Sequence, residues 1–520
     1  MIQWMAFGGF GLRLGLGIAL VLTTACSMPA LVEDAHAVTP TTDCESRVAV
    51  ATPPAGANAL VGLLDTGRQA FMARAALIEG ARCTLDAQYY IWNSDDTGRY
   101  LLSRILAAAD RGVRVRLLID DINTAGRDQQ IAALSRHANV AVRIYNPFQD
   151  RGMLRSLGFV SEFSRLNRRM HVKSFTIDGV ITLLGGRNIG DEYFDTATEL
   201  NFRDRDVLVS GEPAVATERM FSVFWDSSLS RPIEELVPEA ATTDNTSLPA
   251  LEPALIERLR RAHGELPQGF EDADRFMQRV SEQMVASTAR LVHDDPPALD
   301  HLGDTDEPQP SAIALTEIAA TAADEILIES AYLVMDDETL DGIKALRANG
   351  IAIRALTNSL ASNDVTANHA AYAGRRKQML EAGIDLFELR PDASTCTELV
   401  GDTAKCRDKA MIGLHAKTFV LDRRLVYVGS FNLNLRSRYL NAESGLIIEN
   451  AALASRIAND IDRNMQVGNS WTLALDDGNV VWFEDPAQPE KGRWTKEPTV
   501  PWSRRMLSMF IAGLGLEKYL

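Results

Sequence analysis

A histidine–lysine motif that occurs twice constrains this chain more than any other feature. The first copy, HVKSFTID, begins at His171, and the second, HAKTFVLD, begins at His415. Each copy is followed by a glycine-containing turn that ends in asparagine, Asn188 in GGRN and Asn432 in GSFN, seventeen residues after the histidine. Because the chain has only eight histidines, two copies with the same downstream asparagine indicate a duplicated unit.

Each copy is typical of a β-hairpin, because a run rich in Phe, Val, Thr and Ile leads through Asp178 or Asp422 into a second β-type run. Alternate residues of a strand share a face, so Lys173 and Lys417 are expected to lie beside their motif histidines. Such a pair suits a phosphate group: the lysine supplies charge and the imidazole acts as nucleophile or proton carrier. An aspartate at a turn often forms hydrogen bonds only to the nearby backbone. The two motif aspartates are therefore weaker candidates for direct participation in the chemistry than the histidines and lysines.

The duplication extends beyond the motif to a whole domain. Gly112 and Gly350 each end a helix that lies between two β-type runs, and they are 238 residues apart (350 − 112). The motif histidines are separated by 244 residues (415 − 171), which is nearly the same offset. Strand, helix and strand in this order predict a parallel βαβ unit in each half.

The residues around the motifs resemble the His-Lys-Asp proteins of the phospholipase D superfamily, and within it bacterial cardiolipin synthases. The likeness is carried by FSRLNRRMHVKSFTIDGVITLLGGRNIGDEYF and by GLHAKTFVLDRRLVYVGSFNLNLRSRYLNAESGLII, and it runs from about Cys83 to about Asn450. It implies an α/β fold with two similar phospholipase D-type domains. Each would be a mixed β-sheet flanked by helices, and a pseudo-two-fold axis would leave one active site at the interface.

The resemblance also implies roles for individual residues. The expected catalytic set is His171, Lys173, Asp178, His415, Lys417 and Asp422, and the expected phosphate-binding or supporting set is Asn188, Asn432, Glu443 and Asp204. In the family, a carboxylate at the positions of Glu443 and Asp204 often bonds a motif histidine. Asp206 is a second candidate for this role in the first half. The alternative for each residue is a solvated charge at the edge of a strand, with no role in the site. Family precedent favours His171 as a nucleophile that forms a covalent phosphohistidine, with His415 as acid and then base. No metal or other cofactor is implied.

Three classes of function stay open. The first is a cardiolipin synthase-like phosphatidyltransferase in the membrane, with phosphatidylglycerol or phosphatidylethanolamine among its lipid substrates. The second is a hydrolase, either a phospholipase D or a phosphodiesterase that cleaves nucleic acid. The third is a catalytically silent membrane-binding protein, which the presence of both histidines and both lysines disfavours. The formal charge of −17 disfavours a nucleic-acid partner, because binding a polyanion normally needs a basic face. The oligomeric state is not predicted.

The first 26 residues are typical of an export signal. Arg13 precedes the apolar run LGLGIALVL and then TTAC, in which Cys26 resembles the modified cysteine of a bacterial lipoprotein. Simple cleavage and an uncleaved anchor are the alternatives. We therefore expect a protein of the bacterial cell envelope, membrane-associated and lipid-anchored on the periplasmic side. In that oxidising compartment Cys396 and Cys406 could form a disulfide, with two unpaired thiols as the alternative.

Composition divides the chain into six parts. The expected parts are an export signal with a lipobox (1–26), a linker (27–58), the first domain (59–235), a linker with helices (236–308), the second domain (309–470) and a C-terminal extension (471–520). The helices of the second linker are expected from about Ala254 to His263 and from about Ala273 to Ala289. The extension ends in WSRRMLSMFIAGLGLEKYL, which predicts either an interfacial helix or a helix packed on the protein.

Two further groups of residues have two interpretations each. The basic cluster of Arg165, Arg168 and Arg169 could bind a lipid headgroup phosphate or form a solvated turn. The segment with His369 and Tyr372 resembles a helix that borders the site in related synthases, and it also fits an ordinary surface helix with its apolar stripe inward.

Overall fold

The structure is a computed structural model, which describes residues 51–152, 155, 158–238, 251–298, 307–396, 411–513, 515 and 517–519. The predicted export signal, residues 27–50 of the first linker and Cys406 lie outside these residues. Within them, no helix is both long enough and apolar enough to cross a membrane.

The first half contains nine strands and seven helices among the described residues. The strands are β1 Ala59–Leu64, β2 Thr84–Tyr89, β3 Arg114–Asp120, β4 Val140–Tyr145, β5 Ser174–Ile177, β6 Ile181–Gly185, β7 Leu200–Arg203, β8 Asp206–Gly211 and β9 Ser230–Pro232. The helices are α1 Gly67–Gly80, α2 Asp96–Asp110, α3 Asp128–Leu134, α4 Gly158–Ser161, α5 Phe163–Leu166, α6 Glu212–Trp225 and α7 Ile233–Leu236. Between the halves lie α8 Pro253–His263, α9 Gly269–Ser281 and β10 Val285–His293.

The second half has a similar order of elements, except that β14 precedes its motif hairpin whereas β7 follows that of the first half, and it adds a C-terminal extension. Its strands are β11 Glu325–Ser330, β12 Ala352–Asn358, β13 Asp385–Leu389, β14 Met411–Leu414, β15 Lys417–Leu421, β16 Leu425–Gly429, β17 Ser444–Glu449, β18 Ser470–Asp476, β19 Asn479–Phe483 and β20 Arg493–Trp494. Its helices are α10 Pro310–Ala319, α11 Asp337–Ala348, α12 Thr366–Glu381, α13 Leu435–Tyr439, α14 Ala451–Met465 and α15 Trp502–Ala512.

The strand pairings confirm the predicted duplication. In the first half the spatial order is β9-β4-β3-β2-β5-β6-β8, and in the second it is β18-β13-β12-β11-β15-β16-β17. The β2–β3–β4 and β11–β12–β13 pairings are parallel and the others in these two series are antiparallel. Strands β1 and β10 pair with each other and with β8 and β17, so the two halves share one mixed sheet with helices on it. The predicted α/β fold with pseudo-two-fold related domains is therefore correct.

Both motif hairpins form where the sequence places them. Strand β5 pairs with β6 and β15 pairs with β16, each in antiparallel register. The turn of the first hairpin has positive φ at Asp178 (54°) and Gly179 (68°), and that of the second at Asp422 (51°) and Arg423 (48°). Each loop has three residues, since Ile177 pairs with Ile181 and Leu421 with Leu425, and positive φ at its first two residues matches the right-handed twist of the flanking strands.

One predicted helix is wrong over part of its length. The helix expected from Ala273 to Ala289 ends at Ser281, and Val285–His293 forms β10 instead. Within β10, Ser287 and Ala289 are buried while their immediate neighbours are exposed, which is the two-residue period of a strand. The segment between the halves therefore supplies a structural strand as well as packing helices.

Apolar packing also holds the halves together. Each half has its own core, and a further cluster of buried side chains combines Val61 and Val209 of the first half with Val420, Val428 and Leu446 of the second. Burial of these side chains away from water stabilises the arrangement in which the two motifs face each other.

Candidate active site

Each motif histidine is positioned by the backbone of the opposite half. The backbone N–H of His171 donates to the carbonyl of Ala442 at 2.8 Å, and the N–H of His415 donates to the carbonyl of Arg203 at 2.7 Å. Strand β14, just before His415, pairs in parallel with β7, which ends at Arg203. The two motifs are thus brought together at the interface between the halves.

The carboxylate pairs also cross the interface. Nδ1 of His171 lies 2.7 Å from Oε2 of Glu443, and Nδ1 of His415 lies 2.6 Å from Oδ2 of Asp204. The structure therefore places both predicted carboxylates on motif histidines, each on that of the other half. The rival Asp206 lies elsewhere, because it pairs with the buried guanidinium of Arg74 at 3.0 Å.

These contacts fix the tautomer of both imidazoles. Oε2 of Glu443 also accepts from the Ser430 hydroxyl at 2.5 Å, and Oε1 accepts from Ser437 at 2.6 Å. Burial would favour the neutral acid, but His171 and the neighbouring Lys173 hold the pKa of Glu443 below its ordinary value. An ionised carboxylate only accepts hydrogen bonds, so Nδ1 carries the proton and the lone pair of Nε2 is left to react.

The opposite pair has the same chemistry. Burial would raise the pKa of Asp204, but His415 and Lys417 lower it well below its ordinary value. Nζ of Lys417 lies 3.0 Å from Nδ1 of His415, yet Nδ1 already donates its proton to Asp204. The ammonium group therefore bonds the backbone carbonyl of His415 instead.

Burial gives the site an unusual charge state. It lowers the pKa of both motif histidines to about 4, so both imidazoles are neutral near pH 7. Lys173 and Lys417 are each only 1% exposed, and burial lowers their pKa values to about 7 and about 8. In the contacts of the described residues each ammonium group bonds the backbone carbonyl of its motif histidine and no carboxylate, so a phosphodiester anion would give both lysines a direct ion pair, which favours an anion site.

The two predicted asparagines lie in different surroundings. Asn188 accepts from the N–H of Ile91 at 3.1 Å and donates to the Tyr193 hydroxyl at 3.0 Å. Asn432 is 3% exposed, and within the described residues its side-chain oxygen has no hydrogen-bond partner. A buried side-chain oxygen without a donor is typical of a ligand site, where it would accept from a substrate hydroxyl, so Asn432 is the better placed of the two to contact a substrate.

Aromatic residues that the sequence reasoning missed form the walls of the site. The ring of Tyr90 meets His171 edge-on at 4.9 Å, and its centroid lies 5.3 Å from Nζ of Lys173. Tyr193 meets His415 edge-on at 5.2 Å, and Phe202 lies 5.0 Å from the same ring. The signal that could have identified Tyr90 is its place just after β2, the strand that pairs with the motif strand β5.

The two motif aspartates, which the resemblance places in the catalytic set, lie at the hairpin turns and bond backbone groups in this structure. The carboxylate of Asp178 accepts from the N–H groups of Cys83 and Thr84 at 2.8 and 2.9 Å. That of Asp422 accepts from three consecutive N–H groups, including Asp324 at 2.8 Å. Each lies five residues beyond its motif lysine, about 16 Å along an extended strand. Both aspartates therefore fix the hairpin turn to the start of the neighbouring strand.

The basic cluster before the first motif is also structural at Arg169. Its side chain is fully buried and pairs with Asp120 at 3.0 Å, and the other oxygen of Asp120 accepts from the N–H of Met170. Arg168 donates to the carbonyl of Tyr439 at 3.0 Å. Arg169 therefore neither binds a lipid headgroup nor lies in a solvated turn. Its burial and its pairing with Asp120 make it a structural support for the segment just before His171.

Two other predicted features have clear outcomes. His369 is fully buried, with Nε2 3.2 Å from Glu497, so it belongs to the packing of the C-terminal extension. Cys83 and Cys396 are each disulfide-bonded, which rules out an unpaired thiol at Cys396. The pairing of Cys396 with Cys406 stays a prediction.

Within the described residues, no group of three or more His, Cys, Asp or Glu side chains is arranged to hold a metal ion.

Comparison with known proteins gives a consistent result. A family model described as "Cardiolipin synthase, PLD-like domain" matches residues 75–225 and 315–465, one copy in each half. The chain is 38% identical to cardiolipin synthase C of Escherichia coli (strain K12) over 467 residues, covering 87% of this chain and 94% of that protein. It is 30% identical to an uncharacterized protein of Helicobacter pylori (strain J99), covering 81% and 82% of the two chains.

A solved structure supports the fold alone. The crystal structure of phosphatidylserine synthase from Haemophilus influenzae is similar with a TM-score of 0.58 at 14% sequence identity. The match covers 91% of this chain and 97% of that one, so the likeness includes both halves.

Proposed function

The chain belongs to the family of the cardiolipin synthase, PLD-like domain, and we propose that it transfers a phosphatidyl group from one membrane phospholipid to the hydroxyl of phosphatidylglycerol. The observation that carries the proposal is the pair of neutral imidazoles, each fixed by an ionised carboxylate from the opposite half and flanked by a buried lysine. This arrangement offers one nucleophile and one proton carrier for a single phosphodiester.

In the first half-reaction the donor lipid loses its headgroup alcohol. Nε2 of His171 attacks phosphorus, a nitrogen–phosphorus bond forms, and the bond from phosphorus to the alcohol oxygen breaks. When the anionic donor lipid binds, Nε2 of His415 takes up a proton from solvent, and the departing oxygen receives that proton. The pKa of His415 is about 4 in the ligand-free site, and the negative charge of the bound phosphodiester raises it. The assignment of His171 as nucleophile follows the family resemblance.

In the second half-reaction the acceptor lipid takes the phosphatidyl group. Its hydroxyl gives a proton to Nε2 of His415 and attacks phosphorus, and the nitrogen–phosphorus bond to His171 breaks. The product is cardiolipin, and both imidazoles return to their starting state. The ammonium groups of Lys173 and Lys417 and the side-chain NH₂ group of Asn432 donate to the non-bridging oxygens, where negative charge develops in both transition states.

We also propose that the protein acts in the bacterial cell envelope, membrane-associated and lipid-anchored through Cys26 on the periplasmic side. The disulfide bonds at Cys83 and Cys396 support an oxidising compartment. The phospholipid substrates support a place at the membrane.

Lipid analysis of a cardiolipin-deficient bacterial strain tests the proposal. Expression of the intact chain is expected to restore cardiolipin, while His171→Ala and His415→Ala chains at equal abundance are not. Accumulation of phosphatidic acid without cardiolipin would replace the proposal by hydrolysis. No change in any lipid would contradict a lipid substrate, and soluble phosphodiesters would then be tested.

A further inference from the structure

Helix α15 turns its apolar side chains away from the protein. Trp502, Met506, Met509 and Phe510 follow the spacing of one helix face, and their side chains are 75%, 55%, 68% and 68% exposed. On the opposite face Ser508 is buried at 3% exposure. A surface helix of a water-soluble protein normally has the reverse arrangement, with apolar residues inward.

Polar contacts fix this orientation. The guanidinium of Arg504 donates to the carbonyl of Asn363 at 2.7 Å, and that of Arg505 donates to the carbonyl of Glu497 at 2.9 Å. The Glu497 carboxylate accepts in turn from Arg376 of α12 at 3.1 Å. The inward face is therefore bonded to the second half, and the apolar face cannot turn inward without breaking these bonds.

The extension lies beside the active site. Asn363, which binds Arg504, is followed by Asp364, whose negative charge acts on His415. At the other end of the extension, the carbonyl of Tyr519 accepts from Arg436 at 3.0 Å. Arg436 lies on α13, and its neighbour Ser437 donates to the Glu443 carboxylate that bonds His171. The extension is thus bonded to the helix that supports the first motif histidine and to the segment just before α12.

We propose that the exposed face of α15 inserts into the interfacial layer of a phospholipid bilayer and holds the active site against it. This inference rests on the proposed function, because an enzyme that acts on phospholipids must bring its active site to a bilayer. A contiguous apolar face marks an interaction site, and tryptophan favours the membrane–water interface. At 11 residues, about 16 Å, the helix lies on a bilayer and does not span it.

A second copy of this chain is the less favoured occupant of the face. An interface between two copies at α15 would bury the apolar face against protein and keep it from the bilayer in which the proposed lipid substrate resides. A bilayer occupies the same face and delivers the substrate there.

Environment-sensitive labelling tests the inference on the full chain. Met506→Cys is labelled with a nitrobenzoxadiazole fluorophore, and the signal from the unsubstituted chain is subtracted. The matched control is Val223→Cys, at a 48% exposed apolar position on α6. Each chain is studied with and without vesicles of phosphatidylglycerol and phosphatidylethanolamine that carry a spin-labelled lipid. The label at 506 is expected to shift to shorter wavelength and lose at least half its emission to the spin label, while the label at 223 changes little.

Three outcomes at position 506 overturn the inference. Emission at 506 that vesicles do not alter excludes insertion. A blue shift without vesicles that grows with protein concentration identifies a second copy, and one independent of concentration identifies another segment of this chain. The experiment is repeated with the His171→Ala chain. If the label at 506 is quenched in the His171→Ala chain and the intact chain makes no lipid product, the proposed function is wrong but the membrane contact of α15 is supported.

Discussion

Glu443 of the second half and His171 of the first half are joined by a hydrogen bond of 2.7 Å, although they are 272 residues apart in sequence. The corresponding bond of 2.6 Å joins His415 to Asp204 in the opposite direction. Neither half therefore contains a complete histidine–carboxylate pair, and the site exists only when both halves are in place.

Substitution of Glu443 by glutamine is expected to lower kcat by about 10²- to 10⁴-fold. The amide can present its NH₂ group to Nδ1 of His171, which would move the imidazole proton to Nε2 and block attack on phosphorus. Steady-state kinetics with dispersed phosphatidylglycerol measures the effect. Glu449→Gln, an exposed acid at the end of the same strand, is the control and should leave kcat unchanged. In a His171→Ala background, Glu443→Gln should cause no further loss, and an additional tenfold decrease would contradict the account.

Substitution of Asp422 by alanine is expected to lower stability and to leave kcat of the folded enzyme within about twofold. The change leaves three backbone N–H groups without their acceptor, which costs about 1–3 kcal/mol. Asp477→Ala is the matched control, because Asp477 also lies in a hairpin turn with positive φ (48°). Denaturant unfolding followed by kinetics separates the two effects. A large fall in kcat at unchanged stability would restore Asp422 to the catalytic set.

The two buried lysines predict how anion affinity depends on pH. Their pKa values of about 7 and about 8 mean that they lose their charge as pH rises through this window. Dimethyl phosphate, which stays a monoanion throughout, should bind at least tenfold more weakly at pH 9 than at pH 6.5. Calorimetry in buffers of different ionisation enthalpy should detect proton uptake on binding near pH 8. Affinity that is constant over this range would show that both lysines stay charged without a ligand.

The buried ion pair beside the first motif predicts a stability effect that a second change relieves. Arg169→Met leaves Asp120 charged and unpaired in the interior, which should cost about 3–5 kcal/mol. Arg169→Met combined with Asp120→Asn removes both charges, keeps a side-chain oxygen for the backbone N–H of Met170, and should recover part of that stability. Denaturant unfolding of the single and double variants measures the difference. A normal unfolding free energy in the Arg169→Met chain, together with a raised KM for lipid, would instead favour the headgroup interpretation.

Local patterns predicted the parts of the site, and packing between the halves determined how they combine. The two hairpins, the motif lysines and the candidates Glu443 and Asp204 follow from spacing and from the family resemblance. The crossing of the carboxylates does not, because it depends on how two sheets dock through β1 and β10. The fully buried Arg169 was missed for a similar reason: a run of basic residues looks solvated until Asp120, 49 residues away in sequence, is placed next to it.

Trapping of the covalent intermediate tests the central claim most directly. Enzyme mixed with phosphatidylglycerol is quenched within one turnover, kept at alkaline pH to protect phosphohistidine, and analysed by mass spectrometry of its peptides. The account predicts one phosphatidyl group per chain, on His171. None should appear in the His171→Ala chain, and the His415→Ala chain should form the group only slowly, because it lacks the acid that protonates the departing alcohol. A phosphatidyl group on His415 of the intact chain, or product formation with no phosphohistidine at any stage of the turnover, would contradict it.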